Sequence, residues 1–176
     1  YVPYVYNKLD IVWRKQEQKM LQKLQAESLA HYEDLVKQPF VYGQALSGNV
    51  TLDAVVADYT KRAQGRTLLF DAVVEPLHIS NMAELDVTVI VDAMLEMAFA
   101  QTSTDTDAFV QLTVRQRKGS LFLDVDYVMG KRLLHKKEPA LADALIKKYD
   151  GSKQLRKNGR ERQICVLLPN QSENMV

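Results

Sequence analysis

The chain has 176 residues, 47% hydrophobic and 26% charged, with 23 Lys and Arg against 22 Asp and Glu. That describes one ordinary globular domain, or one domain plus an extra helix, whose core needs neither disulfide nor metal. One cysteine, Cys165, excludes an intrachain disulfide, the scattered His31, His78 and His135 form no ligand cluster, and no apolar run reaches the roughly 18 residues of a membrane span.

The opening Tyr1-Val2-Pro3-Tyr4-Val5-Tyr6, followed by Lys8, Arg14 and Lys15, has two readings. It is the aromatic-then-basic pattern found just inside a membrane-spanning helix, and equally a boundary cut within a longer protein. From about Leu9 to Gln38 there is no Gly or Pro, and Gln, Lys, Glu, Leu and Ala dominate, so a long helix is predicted. Leu21, Leu24, Ser28, His31 and Leu35 follow steps of three and four, an imperfect heptad seam. About 30 residues of helix span roughly 45 Å, more than a small domain's width, so pairing with a second copy in a homodimer is expected. Pro39 ends the helix, and Gly43, Ser47 and Gly48 make the connection.

Residues 1–47 are thus read as a dimerisation-like helix and linker, and 48–176 as a globular domain. Asn49 caps a helix with Leu52, Val55, Val56 and Tyr59 on one face, closed by Gly65. Thr67–Val74 reads as a strand. Asn81 and Glu84 have capping-box spacing before a helix that runs to about Gln101. After a polar loop, Phe109–Gln116 and Leu121–Val128 form a hairpin about Lys118-Gly119. Pro139 suits the first turn of another helix, followed by Gly151, and Gln163–Leu168 is the last strand. The fold class expected is α/β, an α+β two-layer sandwich: a mixed sheet of four or five strands with three helices on one face.

Charge is unevenly spread. Residues 1–130 carry 12 basic and 17 acidic groups, and 131–162 carry 11 basic and 4 acidic. The basic third is read first as a solvated face and second as a surface for phosphate or acidic partners. Aromatic residues do not interleave with it, which argues against nucleic acid. Asp124 and Asp126 are placed on a strand's solvent side, and Cys165 is expected buried and inert.

The element order and its local words resemble the histidine-kinase-like ATPase (GHKL, Bergerat-type) domain of sensor histidine kinases, most closely the peptide quorum-sensing branch of Gram-positive bacteria. The words are Gly48-Asn49-Val50-Thr51-Leu52-Asp53-Ala54-Val55-Val56, Leu85 to Ala100, Leu121 to Tyr127, Ala144 to Ser152 and Val166-Leu167-Leu168-Pro169, covering roughly residues 48–169. The resemblance implies a two-component signalling role, ATP and Mg²⁺ as cofactors, and a response regulator or a true kinase as partner. It also implies a cytoplasmic location, as the cytosolic part of a membrane sensor.

The resemblance also implies two Asn side chains, one helical turn apart, holding Mg²⁺ and phosphates. Here those positions are Ala93 and Met97, neither able to ligate a hard cation. The acidic position between them is Glu96, a weak catalytic candidate, and the adenine-side Asn falls on Tyr127. The Gly-rich turn near 129–140 is reduced to Met129-Gly130-Lys131-Arg132 and Glu138-Pro139-Ala140-Leu141. Phe40 stands at the phosphoacceptor position, and His31 lacks the Asp and Asn that should follow such a histidine. Hence the expectation is a pseudokinase, with Met97 and Tyr127 filling former ligand volume. The alternatives are a divergent active kinase using Asp92, Glu96 or the 131–137 basic run, and a dimeric adaptor sharing only the fold.

Overall fold

A computed structural model describes residues 2–37, 47–102, 108–130 and 140–169, with side chains from Arg14 onward. Its elements are α1 (Val2–Val36), α2 (Val50–Gln64), β1 (Leu69–Val74), α3 (Glu84–Gln101), β2 (Phe109–Arg117), β3 (Ser120–Val128), α4 (Ala140–Lys148), β4 (Ser152–Asn158) and β5 (Glu161–Pro169). The strands form one sheet in the order β1-β2-β3-β5-β4. β1 and β2 are parallel, joined through α3, and every other neighbouring pair is antiparallel. This is the mixed α+β sandwich expected.

Alternation in β2, β3 and β5 builds the core. Val110, Leu112, Val114, Leu121, Leu123, Val125, Tyr127, Ile164, Val166 and Leu168 all point to one face and are at most 2% exposed. Register keeps them together: Leu112 pairs with Val125, and Val125 with Ile164. Helices α2, α3 and α4 cover that face. Between them lies α3, mostly buried (Val87, Ile90, Val91, Leu95 and Ala98 are fully enclosed), as its predominantly apolar sequence requires.

The turns follow local chemistry. Lys118 and Gly119 both have positive φ, the type I′ hairpin turn that Lys118-Gly119 signalled. Gly159 has φ 58° and opens the two-residue turn between β4 and β5, the II′ pattern. Asn49 accepts from the Leu52 amide and caps α2 as predicted.

Four expectations need correction. The strand β4 was not anticipated: Ser-Lys-Gln-Leu-Arg-Lys-Asn lacks apolar alternation because it is an edge strand with little to bury. The Asn81–Glu84 capping box does not form. Ala83 is the N-cap without a side-chain bond, and Asn81 donates instead to the Pro169 carbonyl at 3.2 Å. Tertiary partners hold this end of α3, since the Ala83 amide donates to the Tyr149 hydroxyl and Lys148 pairs with Asp86. The seam on α1 also shifts: His31 is exposed, while Tyr32 is 3% and Leu35 9% exposed against the chain's own body. A 3.6-residue helix packing on a globular surface drifts off a strict heptad line. Lastly, Cys165 is half-buried on the sheet's uncovered face, where burial and the Asp124 carboxylate push its thiol up to about 11.

Candidate functional site

The residues singled out from the sequence cluster around the second half of α3. On the side facing α4 and the sheet, Ala93 and Met97 stand with Ile90 and Met94 against Ala142, Ile146, Ile164 and Val166. The crevice between them has a volume of about 10 Å³, at or below what one water needs. Met97 is 9% exposed and Met94 4%, so thioether and methyl groups fill this space. Lys153 and Asp143, which form a 3.3 Å ion pair, close its outer rim.

Tyr127 lies beneath the end of the same helix, 1% exposed, its hydroxyl donating to Gln101 Oε1 at 2.5 Å. Burial raises its pKa, so it remains a neutral donor. Around it, Thr102 Oγ1 donates to the Val128 carbonyl at 3.0 Å and the Gly130 amide to the Gln101 carbonyl at 2.8 Å. The end of β3 is thereby pinned to the end of α3. Gly130 uses its amide in this joint. Phe40 and the 131–137 basic run lie outside the described residues.

Glu96 is not part of the crevice, although it is the immediate sequence neighbour of Met97. Successive helix positions are about 100° apart, and Glu96 faces α2. There Arg62 Nη1 meets Glu96 Oε2 at 3.0 Å and Arg62 Nε meets Asp58 Oδ2 at 3.1 Å. Asp92, one turn earlier, accepts from the hydroxyls of Tyr32 at 2.8 Å and Tyr59 at 2.7 Å. Both tyrosines have strongly raised pKa values, through burial first and the Asp92 charge second, so both stay protonated donors. This network joins α1, α2 and α3.

Above it opens a cleft of about 380 Å³ lined by Ser28, His31, Asp92, Glu96 and Arg62, with Leu24, Val89 and Ala93 as its apolar part. Of its residues, Asp92 and Glu96 were singled out in the sequence only as candidates of the divergent-kinase alternative. Tyr59 gave no signal, because its hydroxyl stands on a face read as apolar. Asp124 and Asp126 lie on the sheet's uncovered face, away from both places, and burial with the neighbouring Asp124 raises Asp126. Among the described residues no three His, Cys, Asp or Glu side chains group as a metal site, and no helix is long and apolar enough to cross a membrane.

No protein-family model matches this sequence, and no curated protein matches it either. Solved structures do match. The histidine kinase domain of the Erythrobacter litoralis EL346 blue-light activated kinase superposes with a TM-score of 0.61 at 13% identity, over 86% of this chain and 85% of that one. The Acinetobacter baumannii histidine kinase AdeS gives 0.55 at 11%, over 84% and 76%. The mycobacterial sensor histidine kinase MprB gives 0.51 at 14%, over 66% and 93%. Identities this low establish a shared fold, and fold alone carries no activity. The chain has the histidine-kinase ATPase fold.

Proposed function

We propose that this chain is the output region of a two-component sensor histidine kinase, of the peptide quorum-sensing branch, that keeps the ATPase fold without phosphoryl transfer. It acts as a pseudokinase, through contacts with a response regulator or a true kinase. One observation carries this reading: the crevice at Ala93 and Met97 has about 10 Å³ of space and an apolar lining. Ligand pockets run to about 300–1,000 Å³, and Mg²⁺ requires oxygen donors. The methyl group of Ala93 and the thioether of Met97 provide none, so these two positions do not fit Mg²⁺-nucleotide. Phosphoryl transfer rests on positioning and charge stabilisation, which this lining does not supply.

Isothermal titration of the full chain with ATP, with and without Mg²⁺, tests the reading. The expected result is no saturable binding below about 1 mM. Micromolar, Mg²⁺-dependent binding or incorporation of labelled phosphate would overturn it.

A second reading, a divergent active kinase, draws on the cleft holding Asp92, Glu96, Arg62 and His31 next to Ala93. It requires labelled phosphate to appear on the protein and to disappear with Glu96→Gln. In either reading the chain works as a homodimer through α1. Residues 14–20 of α1 are exposed throughout, and further along Leu21, Leu24, Tyr32, Leu35 and Val36 pack on the chain's own body.

A further inference from the structure

The sheet ends in two edges of opposite character. β1 is the edge next to β2, and its uncovered-face side chains from Leu69 to Glu75 are Leu69, Asp71, Val73 and Glu75. Leu69 is 71% and Val73 48% exposed. β4 is the opposite edge, and between Ser152 and Asn158 its three charges, Lys153, Arg156 and Lys157, are all positive.

Backbone phase shows what each edge offers. The Leu69 amide donates to the Ala108 carbonyl at 3.2 Å and the Glu75 amide to the Val114 carbonyl at 3.0 Å. In a parallel ladder every second residue faces the neighbour, so Phe70, Ala72 and Val74 turn their amides and carbonyls outward. At the other edge the two-residue turn closes on Asn158 paired with Glu161, so Arg156 and Gln154 face β5. Leu155 and Lys157 turn outward there. Among the described residues β1 pairs only with β2 and β4 only with β5. Unpaired strand edges are templates for another strand.

We propose that β1 of one chain receives β4 of a second copy, antiparallel, with Ala72 opposite Leu155 and Phe70 opposite Lys157. This register matches outward groups to outward groups, for about four backbone hydrogen bonds. On the uncovered face it sets Asp71 opposite Arg156 and Val73 opposite Gln154. The exposed Leu155 meets Ala72 on the other face. Charge selects this occupant: β1 against β1 brings Asp71 near its own copy, and β4 against β4 opposes like positive charges, whereas β1 against β4 pairs opposite signs. The contact uses two different surfaces, so it is heterologous and propagates as a linear array. It is independent of the kinase reading and of α1.

Sedimentation velocity of the full chain at low and high salt tests it, beside amide exchange followed by NMR. Association should grow with concentration, weaken with salt, and protect the Phe70, Ala72 and Leu155 amides together. Asp71→Lys and Arg156→Glu should each weaken it about tenfold, and the two together should restore it, because the swap recreates the opposite pair. Both positions are exposed, so each variant folds. Pairing through α1 responds to neither change. The proposal is overturned if these amides exchange at a rate independent of concentration, if Arg156→Glu has no effect, or if the double swap does not restore association.

Discussion

Met97, enclosed in a crevice of about 10 Å³, and Glu96, which borders an open cleft of about 380 Å³, are consecutive residues of α3. The first side is sealed by dispersion and burial: Met94 and Met97 need no partner, only neighbours at van der Waals distance, and Ala93 stands at the boundary of the two sides. The second is held by charge-assisted hydrogen bonds. On this half-buried surface Tyr32 and Tyr59 donate to Asp92, and Arg62 donates to Glu96. A helix can therefore give up a polar site on one face and keep polar anchors on the next, since each face answers to different neighbours.

Polarising the sealed side should have the largest effect. In the double change Ala93→Asn with Met97→Asn, the carboxamide at 97 enters a space with no room for the water it would need, while the one at 93 also borders the open cleft. A loss of about 3 kcal/mol is expected in urea denaturation, with at most weak nucleotide binding. Unchanged stability together with saturable ATP binding would show that the crevice opens readily and that the contrast between the two sides is false.

Removing the anchor on the polar side comes next. Asp92→Ala leaves the Tyr32 hydroxyl without its acceptor while Tyr59 keeps Glu96 Oε2 at 3.0 Å, for about 2 kcal/mol. A loss below about 0.5 kcal/mol would mean that water replaces the carboxylate and that the network does not bind the three helices together.

A smaller and local effect is expected from Tyr32→Phe, about 1 kcal/mol. Amide exchange should accelerate in α1 between residues 21 and 36 while α3 stays as protected as before. Equal acceleration in both helices would place α1 and α3 in one cooperative unit.

The pH dependence is the finest discriminator. Tyr32 in the folded chain has its pKa raised above the ordinary value of 10.0, by burial and then by Asp92. A raised folded-state pKa means that its stabilisation is complete below pH 10 and is lost as pH climbs past 10 toward the folded value. The stability gap between wild type and Tyr32→Phe should be flat from pH 7 to about 10 and narrow above it. A gap that already changes near pH 7 would assign the linkage to another group.

Much of the fold is legible in the sequence. The Lys118-Gly119 turn, the Asn49 cap and the alternation of Leu121, Leu123 and Val125 each express a local rule, and the predicted elements from α2 onward stand within two residues of their places, whereas α1 starts at Val2, well before the predicted Leu9. β4 was not legible, because an edge strand buries little and its residues need no periodicity. The cap of α3 was misread because Tyr149 and Lys148, more than sixty residues away, hold its first turn. At the candidate site, the loss of carboxamides at Ala93 and Met97 can be read directly. Which way Glu96 points cannot, and neither can the hub role of Tyr59.

What the sequence by itself determined is therefore the set of elements, their order and the apolar chemistry at positions 93 and 97, because propensity, capping and side-chain type act within a few residues. Tertiary structure alone decided the volume left at the crevice, the turning of Glu96 toward Arg62, and the seating of Tyr32 rather than His31 against the body. Each of those depends on which surface a distant element presents, and no local rule in the chain encodes that distance.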